Sequence, residues 1–276
     1  MNSLWVELKS KVERYNVRRS ILGKVYLKKV KCDIGGEFPM EDAAVLFCLA
    51  KEYIKRGSNV LEIRSWKGNS SIILGEVCRS KNAKLTCVDT WLGSEGVKHH
   101  KEEVDRTPVF EIFKNNIRHF NLQNTITPAR MESSRFLKGT ASKYDFIFID
   151  GDHKYEAFTN DVNGAIKKIK ENGIICGHDC EVMFENLNAE QKAEIQKNLE
   201  IDYIRINVKG ERLLGVHPGV VKGVFDIFNN NYQILQCGIS SGIWYSLSQG
   251  SGKLNSIDSF YNKKVQILNT LKNEIQ

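Results

Sequence analysis

The chain has 276 residues, 41% of them hydrophobic and 26% charged, with a net charge of +7. That balance excludes a disordered polyelectrolyte and leaves ample length for a buried core. The charge is lopsided: residues 1–31 hold nine Lys/Arg against only Glu7 and Glu13, which accounts for the whole excess, so the body is formally neutral and a nucleic-acid surface spread over the protein is disfavoured.

At the start, Leu4, Leu8, Val12 and Tyr15 recur at helical spacing, which predicts an amphipathic basic helix within an N-terminal helical cap over about residues 1–55. The apolar run "AAVLFCLA" (43–50) is far too short to span a bilayer, and "MNSLWVELKSK" lacks the apolar stretch of a secretory signal. Seven cysteines without a C-x-x-C pair fit reduced thiols, so a cytoplasmic location is expected. Five apolar runs then read as buried strands: "NVLEI" (59–63), "KLTCVD" (84–89), "TITPA" (125–129), "YDFIFID" (144–150) and "GIICG" (173–177). Helical patterns separate them at 69–80, about 100–120, 132–138 and 154–170; in the last, Tyr155, Phe158, Val162, Ile166 and Ile169 share one face. Alternating strands and helices with continuous apolar strands predict a doubly wound, mostly parallel α/β sheet. Toward the end, 217–228 reads as a helix, and "YQILQCG" and "GIWYSLS" read as an antiparallel hairpin at a sheet edge. Residues 251–276 are expected to form a last amphipathic helix carrying Ile257, Tyr261, Val265, Leu268 and Leu271, and the terminal helices would offer a surface for self-association.

Ligands of open α/β sheets bind beyond the carboxyl ends of the strands. Those ends carry Arg64, Ser65, Gly68, Asn69 and Ser70; Asp89 to Trp91; Glu132 and Ser133; Asp150 to His153; and His178 to Cys180. Each has a local alternative, Ser70 and Asp152 as helix caps for instance, but carboxylates at three of five ends converge on a site. Neither Gly-x-Gly-x-x-Gly nor a phosphate loop ending in Gly-Lys-Ser/Thr is present, which disfavours a pyrophosphate ligand. What remains is Glu62 within the first strand, a short loop with Gly68, and Asp89, whose two oxygens can accept both hydroxyls of a ribose. Trp91 either stacks on an adenine or fills the edge of the core.

The segments "VLEIRSWKGNSS", "CVDTWLGSEG", "YDFIFIDGDHKYEAFTND", "NGIICGHD", "HPGVVKGV" and "IWY", in this order over about residues 40–247, resemble the class I S-adenosylmethionine-dependent methyltransferases. The resemblance is strongest to the small-molecule O-methyltransferases of the macrolide-sugar and catechol kind. It implies a Rossmann-like catalytic domain over 56–250, with Glu62, Gly68, Ser70 and Asp89 around the cofactor and Ser133 near its adenine; Arg64, Asn69 and Trp91 join that set by position. It also implies that Asp150 and Asp179 hold a divalent ion such as Mg or Mn. His178 is a further ligand candidate, and His153 is placed to take the acceptor's proton. Two positions depart from the family pattern. Arg64 stands where glycine is usual and could fold away, pair with the cofactor carboxylate, or block the pocket. Cys180 stands where metal-using relatives usually offer an oxygen, leaving His178 or Glu181 as substitutes.

The expected function is metal-assisted methylation of a hydroxyl on a small polar molecule such as a sugar or glycan precursor, with 181–216 as a lid. Two alternatives differ in class: a cofactor-binding protein that has lost catalysis, with Arg64 and Cys180 as scars, and a nucleic-acid methyltransferase using the basic arm. No Asn-Pro-Pro-Tyr/Phe motif follows the fourth strand, which weighs against the latter. His99, His100 and His217 are read as solvated or helix-start residues.

Overall fold

The computed structural model describes residues 38–93, 98–209, 212–235 and 241–248. The predicted basic helix near the N-terminus and the helix at 251–276 lie outside the described residues.

In chain order the elements are α1 (Met40–Tyr53), β1 (Asn59–Ile63), α2 (Asn69–Ser80), β2 (Lys84–Asp89), α3 (Lys98–Arg106), α4 (Val109–His119), β3 (Ile126–Arg130), α5 (Ser133–Gly139) and β4 (Tyr144–Ile149). They continue with α6 (Tyr155–Ile166), β5 (Ile169–Gly177), a 3₁₀ turn (Phe184–Asn186), α7 (Ala189–Lys197), β6 (Ile204–Lys209), β7 (Arg212–Val216), α8 (Pro218–Phe228), β8 (Gln233–Leu235) and β9 (Ile243–Leu247).

A seven-stranded sheet runs β3-β2-β1-β4-β5-β9-β8, and β6 and β7 form a separate antiparallel hairpin. β1 pairs in parallel with β2 on one side and β4 on the other, so the winding reverses between β1 and β4 and opens a crevice at their carboxyl ends. β9 lies between β5 and β8, antiparallel to both, and β8 forms the edge. The strands are apolar throughout because both faces are covered. Val60, Leu85, Phe146 and Ile174 face α1, α2 and α4, while Leu61, Val88, Ile147 and Ile175 face α6 and α8. α1 belongs fully to this core: Ala43, Ala44, Leu46 and Leu49 have no exposed surface, and each buried leucine contributes about 1.5–3 kcal/mol. No helix among the described residues is long and apolar enough to cross a membrane.

Two predicted helices change. The one expected over 100–120 is two, α3 and α4, divided at Thr107–Pro108, because proline lacks the N–H that would continue the first. The one expected over 154–170 ends at Ile166; Ile169 instead opens β5 and pairs with Tyr144, ahead of a register shift. Ile169 fits helical spacing by coincidence, three residues after Ile166.

Candidate active site

A cavity of about 700 Å³ lies at the carboxyl ends of the central strands, within the range of small-molecule sites. One end is built by the turn between β1 and α2. Arg64, Trp66 and Gly68 all have positive φ (67°, 43° and 91°), so the turn is wound tightly by left-handed residues, two of which are not glycine. Each non-glycine costs about 1–2 kcal/mol, which explains why glycine would suit position 64. Gly68 is the N-cap of α2 and offers no side-chain cap; an added Cβ there would also sit 3.1 Å from Phe113. With no side-chain cap from Gly68, the N-terminus of α2 suits a ligand anion. Beneath the turn, Glu62 is fully buried and anchors it: Oε2 accepts from Ser65 Oγ at 2.7 Å, from Ser71 Oγ, and from Cys87 Sγ at 3.1 Å. Burial raises the Glu62 pKa against the pull of those hydroxyls.

Of the three fates open to Arg64, the side chain folds back. Its Nε lies 3.4 Å from Asp161 Oδ2 and its stem packs on Gly151, while it still lines the cavity wall. Asp89, at the end of β2, accepts the Trp66 N–H at 2.8 Å on Oδ2 and the Trp91 N–H at 2.6 Å on Oδ1. Each oxygen keeps a lone pair, so the carboxylate can still take two ribose hydroxyls. Burial raises its pKa, opposed by those backbone N–H groups.

The other end of the cavity is a cluster of carboxylates and imidazoles. His178 Nδ1 lies 3.4 Å from Asp150 Oδ1 and 3.1 Å from Asp179 Oδ2, and its Nε2 lies 3.0 Å from Asp42 Oδ2 on α1. His153 bridges Asp179 (Nε2 to Oδ2, 3.0 Å) and Asp202 (Nδ1 to Oδ1, 2.8 Å). His217 Nδ1 lies 2.6 Å from Glu181 Oε1, and its ring centroid is 4.2 Å from that of His153. α8 begins close enough for this only because residue 219 is glycine: a Cβ there would lie 2.3 Å from the His153 carbonyl and 2.4 Å from the Tyr155 nitrogen. Asp179 itself has φ 60°. Within the cluster, two groups bring their ligand atoms within 4.8 Å of one another, Asp150–His178–Asp179 and His153–Asp179–His217.

At His153, His178 and Asp179 burial opposes charge, yet the mutual attraction wins. Burial would lower His153, but Asp179 and Asp202 push it up to about 10. Asp179 and Asp150 raise His178 well above an ordinary imidazole despite its burial. Asp179 is correspondingly held well below the usual carboxylate range. His153, expected to take the acceptor's proton, has both ring nitrogens on carboxylates, which favour its charged form. A histidine raised from ~6.5 stabilises the fold fully below that pH and loses the contribution as pH climbs toward its folded value. In chelator-treated protein, the wild-type melting temperature should fall relative to that of His153→Gln between about pH 7 and pH 10. Parallel curves would contradict the ion-pair assignment.

Of the residues expected around a cofactor, Arg64, Asn69, Ser70 and Asp89 line the cavity; Glu62, Gly68, Trp91 and Ser133 do not. Trp91 fills the core edge, 2% exposed against Phe110 and Phe113, with its Nε1 donating to the Trp66 carbonyl at 2.7 Å. Trp66 lines the cavity instead. Ser133 donates to Asp161 and so joins α5 to α6 and to Arg64. Asp150, His153, His178 and Asp179 all line the cavity's other end. Cys180 is buried among apolar side chains, its thiol pKa pushed well up by burial, and it takes no part in the cluster. Sequence reasoning missed His217, Asp202 and Asp42. The glycine just past Pro218 was the available signal for His217, and nothing local marked the two acids.

Residues 61–180 match the family model described as a methyltransferase domain. The fold is shared with an O-methyltransferase from Bacillus cereus solved with S-adenosylhomocysteine (17% identity, TM-score 0.52, covering 87% of this chain and 97% of that one). It is shared as well with the O-methyltransferase TomG from Streptomyces achromogenes, solved with S-adenosylmethionine (13%, 0.51, 83% and 89%), and with a protein from Corynebacterium glutamicum (11%, 0.52, 92% and 100%). This chain is thus similar over residues 61–180 to a methyltransferase domain, and it shares its Rossmann-like fold with these solved structures.

Proposed function

We propose that the protein transfers the methyl group of S-adenosylmethionine to a hydroxyl of a small polar molecule. One observation carries the reading: a single cavity joins the β1–α2 turn and Asp89 at one end to the Asp150–His178–Asp179 cluster at the other. The turn fits the cofactor, because the uncapped start of α2 suits its carboxylate and the remaining lone pairs of Asp89 suit its ribose. Bound there, the cofactor supplies a sulfonium methyl.

The cluster end then receives the acceptor. Asp150, whose Oδ1 lies 3.4 Å from His178 Nδ1, takes the hydroxyl proton and leaves the acceptor oxygen as nucleophile. The hard and borderline donors of Asp150, Asp179 and His178 also fit a divalent cation, whose chemistry when bound is to lower the pKa of the acceptor hydroxyl. The segment 181–216 supplies Asp202 to the cavity wall, in keeping with a role as the acceptor-side cover. Incubation with methyl-labelled cofactor and a panel of sugars and catechols tests the reading. Label recovered as base-stable methyl ether is the expected result; label recovered only on nitrogen or as a labile ester would refute it.

A further inference from the structure

Three imidazoles in this cavity each have one nitrogen held by a carboxylate behind them: His178 by Asp42, His153 by Asp202 and His217 by Glu181. A carboxylate behind a histidine is how metal sites fix the tautomer and raise the basicity of the ligating nitrogen. Asp202 holds His153 Nδ1 and leaves Nε2, 3.0 Å from Asp179 Oδ2, to ligate; His217 Nδ1 lies 2.6 Å from Glu181 Oε1 and 3.9 Å from Asp179 Oδ1. We propose that His153, His217 and Asp179 form a cation site of their own, taking a divalent transition ion such as Zn2+ or Co2+, with Asp202 and Glu181 orienting the rings.

Four observations carry this. Ligand atoms from the three residues lie within 4.8 Å of one another. The two ring centroids are 4.2 Å apart, so one ion can reach both rings. All three residues line the cavity, so an ion has an entry path and room for water or substrate as a further ligand. The rings are held from separate directions, His153 after β4 and His217 at the start of α8, and glycine at 219 lets the two backbones meet. Two imidazoles and one carboxylate select a borderline transition ion over Mg2+, which prefers oxygen alone. Asp179 also belongs to the Asp150–His178 set, so its two oxygens can serve both positions. The site stands on its own residues and does not depend on methyl transfer.

The test uses chelator-stripped full-length protein titrated with Co2+, read by visible d–d absorption, and with Zn2+ and Mg2+ by calorimetry. The wild type should bind Co2+ and Zn2+ with a spectrum typical of nitrogen ligation. In an Asp150→Asn background, which removes the neighbouring set, His217→Gln should abolish that spectrum, and Asp202→Asn, a half-exposed position tolerant of change, should weaken binding by about 10–100-fold. Asp150→Asn should leave the spectrum in place. Binding of Mg2+ alone would overturn the proposal, as would a Co2+ spectrum unchanged in His217→Gln and Asp202→Asn but lost in Asp150→Asn. S-adenosylhomocysteine affinity, measured on the same variants, reports separately on the cofactor end, so failure there is distinguishable from failure of the metal site.

Discussion

Asp179→Asn is expected to cut turnover by about 10²–10³-fold, the usual cost of removing one preorganised charge from a reacting centre. Asparagine keeps the size of the side chain and tolerates the left-handed backbone that residue 179 adopts, so the loop itself should survive. What disappears is the charge that His153 and His178 both face, at 3.0 and 3.1 Å. Their raised pKa values should fall together, and the cluster should no longer present a carboxylate to a cation. Affinity for S-adenosylhomocysteine should stay within about twofold, because the β1–α2 turn makes no use of Asp179. A variant that keeps full turnover would remove Asp179 from the chemistry; one that loses cofactor affinity as well would mean that the two ends of the cavity are not independent.

Asp89→Ala is expected to have the second large effect, on binding rather than on turnover at saturation. Hydrogen bonds to a charged group contribute about 1.5–3 kcal/mol each, so losing even one ribose contact should weaken cofactor binding by about 10–100-fold. The same carboxylate anchors the N–H groups of Trp66 and Trp91, so the alanine variant should also loosen the turn. Asp89→Asn separates the two effects: it keeps one acceptor for the backbone but loses the charge. Thermal melting checks the turn and calorimetry checks the ligand. Unchanged affinity in both variants would exclude Asp89 from the ribose role.

Much of this was legible in the chain because it is local. The apolar runs of β1, β2 and β4 are unbroken, so their carboxyl ends, and with them Asp89, Asp150 and His153, could be placed before any coordinates. His178 and Asp179 followed in the same way from β5. The start of β5 was not legible: Ile169 extends the stripe of Tyr155, Phe158, Val162 and Ile166, and only pairing with Tyr144 assigns it to the sheet. The side-chain directions around the turn were not legible either. Trp91 and Trp66 both look able to stack on a base, and the choice is made by the Phe110–Phe113 face of α4, which takes up Trp91. His217 reads locally as the residue before a helix-starting proline. Its place beside His153 arises from the packing of α8 on the 153–155 turn, 64 positions away in sequence and visible only once residue 219 is seen to have no room for a side chain. Asp42 comes from α1, outside the matched methyltransferase segment, and reaches His178 across 136 positions.

The central claim is that the β1–α2 turn, despite arginine at position 64, is a working cofactor site. Calorimetric titration of the full chain with S-adenosylhomocysteine tests it most directly, since it needs neither the acceptor nor a cation. Saturable one-to-one binding to the wild type, weakened in Asp89→Ala and retained in Asp179→Asn, is the predicted result. No binding to the wild type, with and without added divalent ion, would contradict the account.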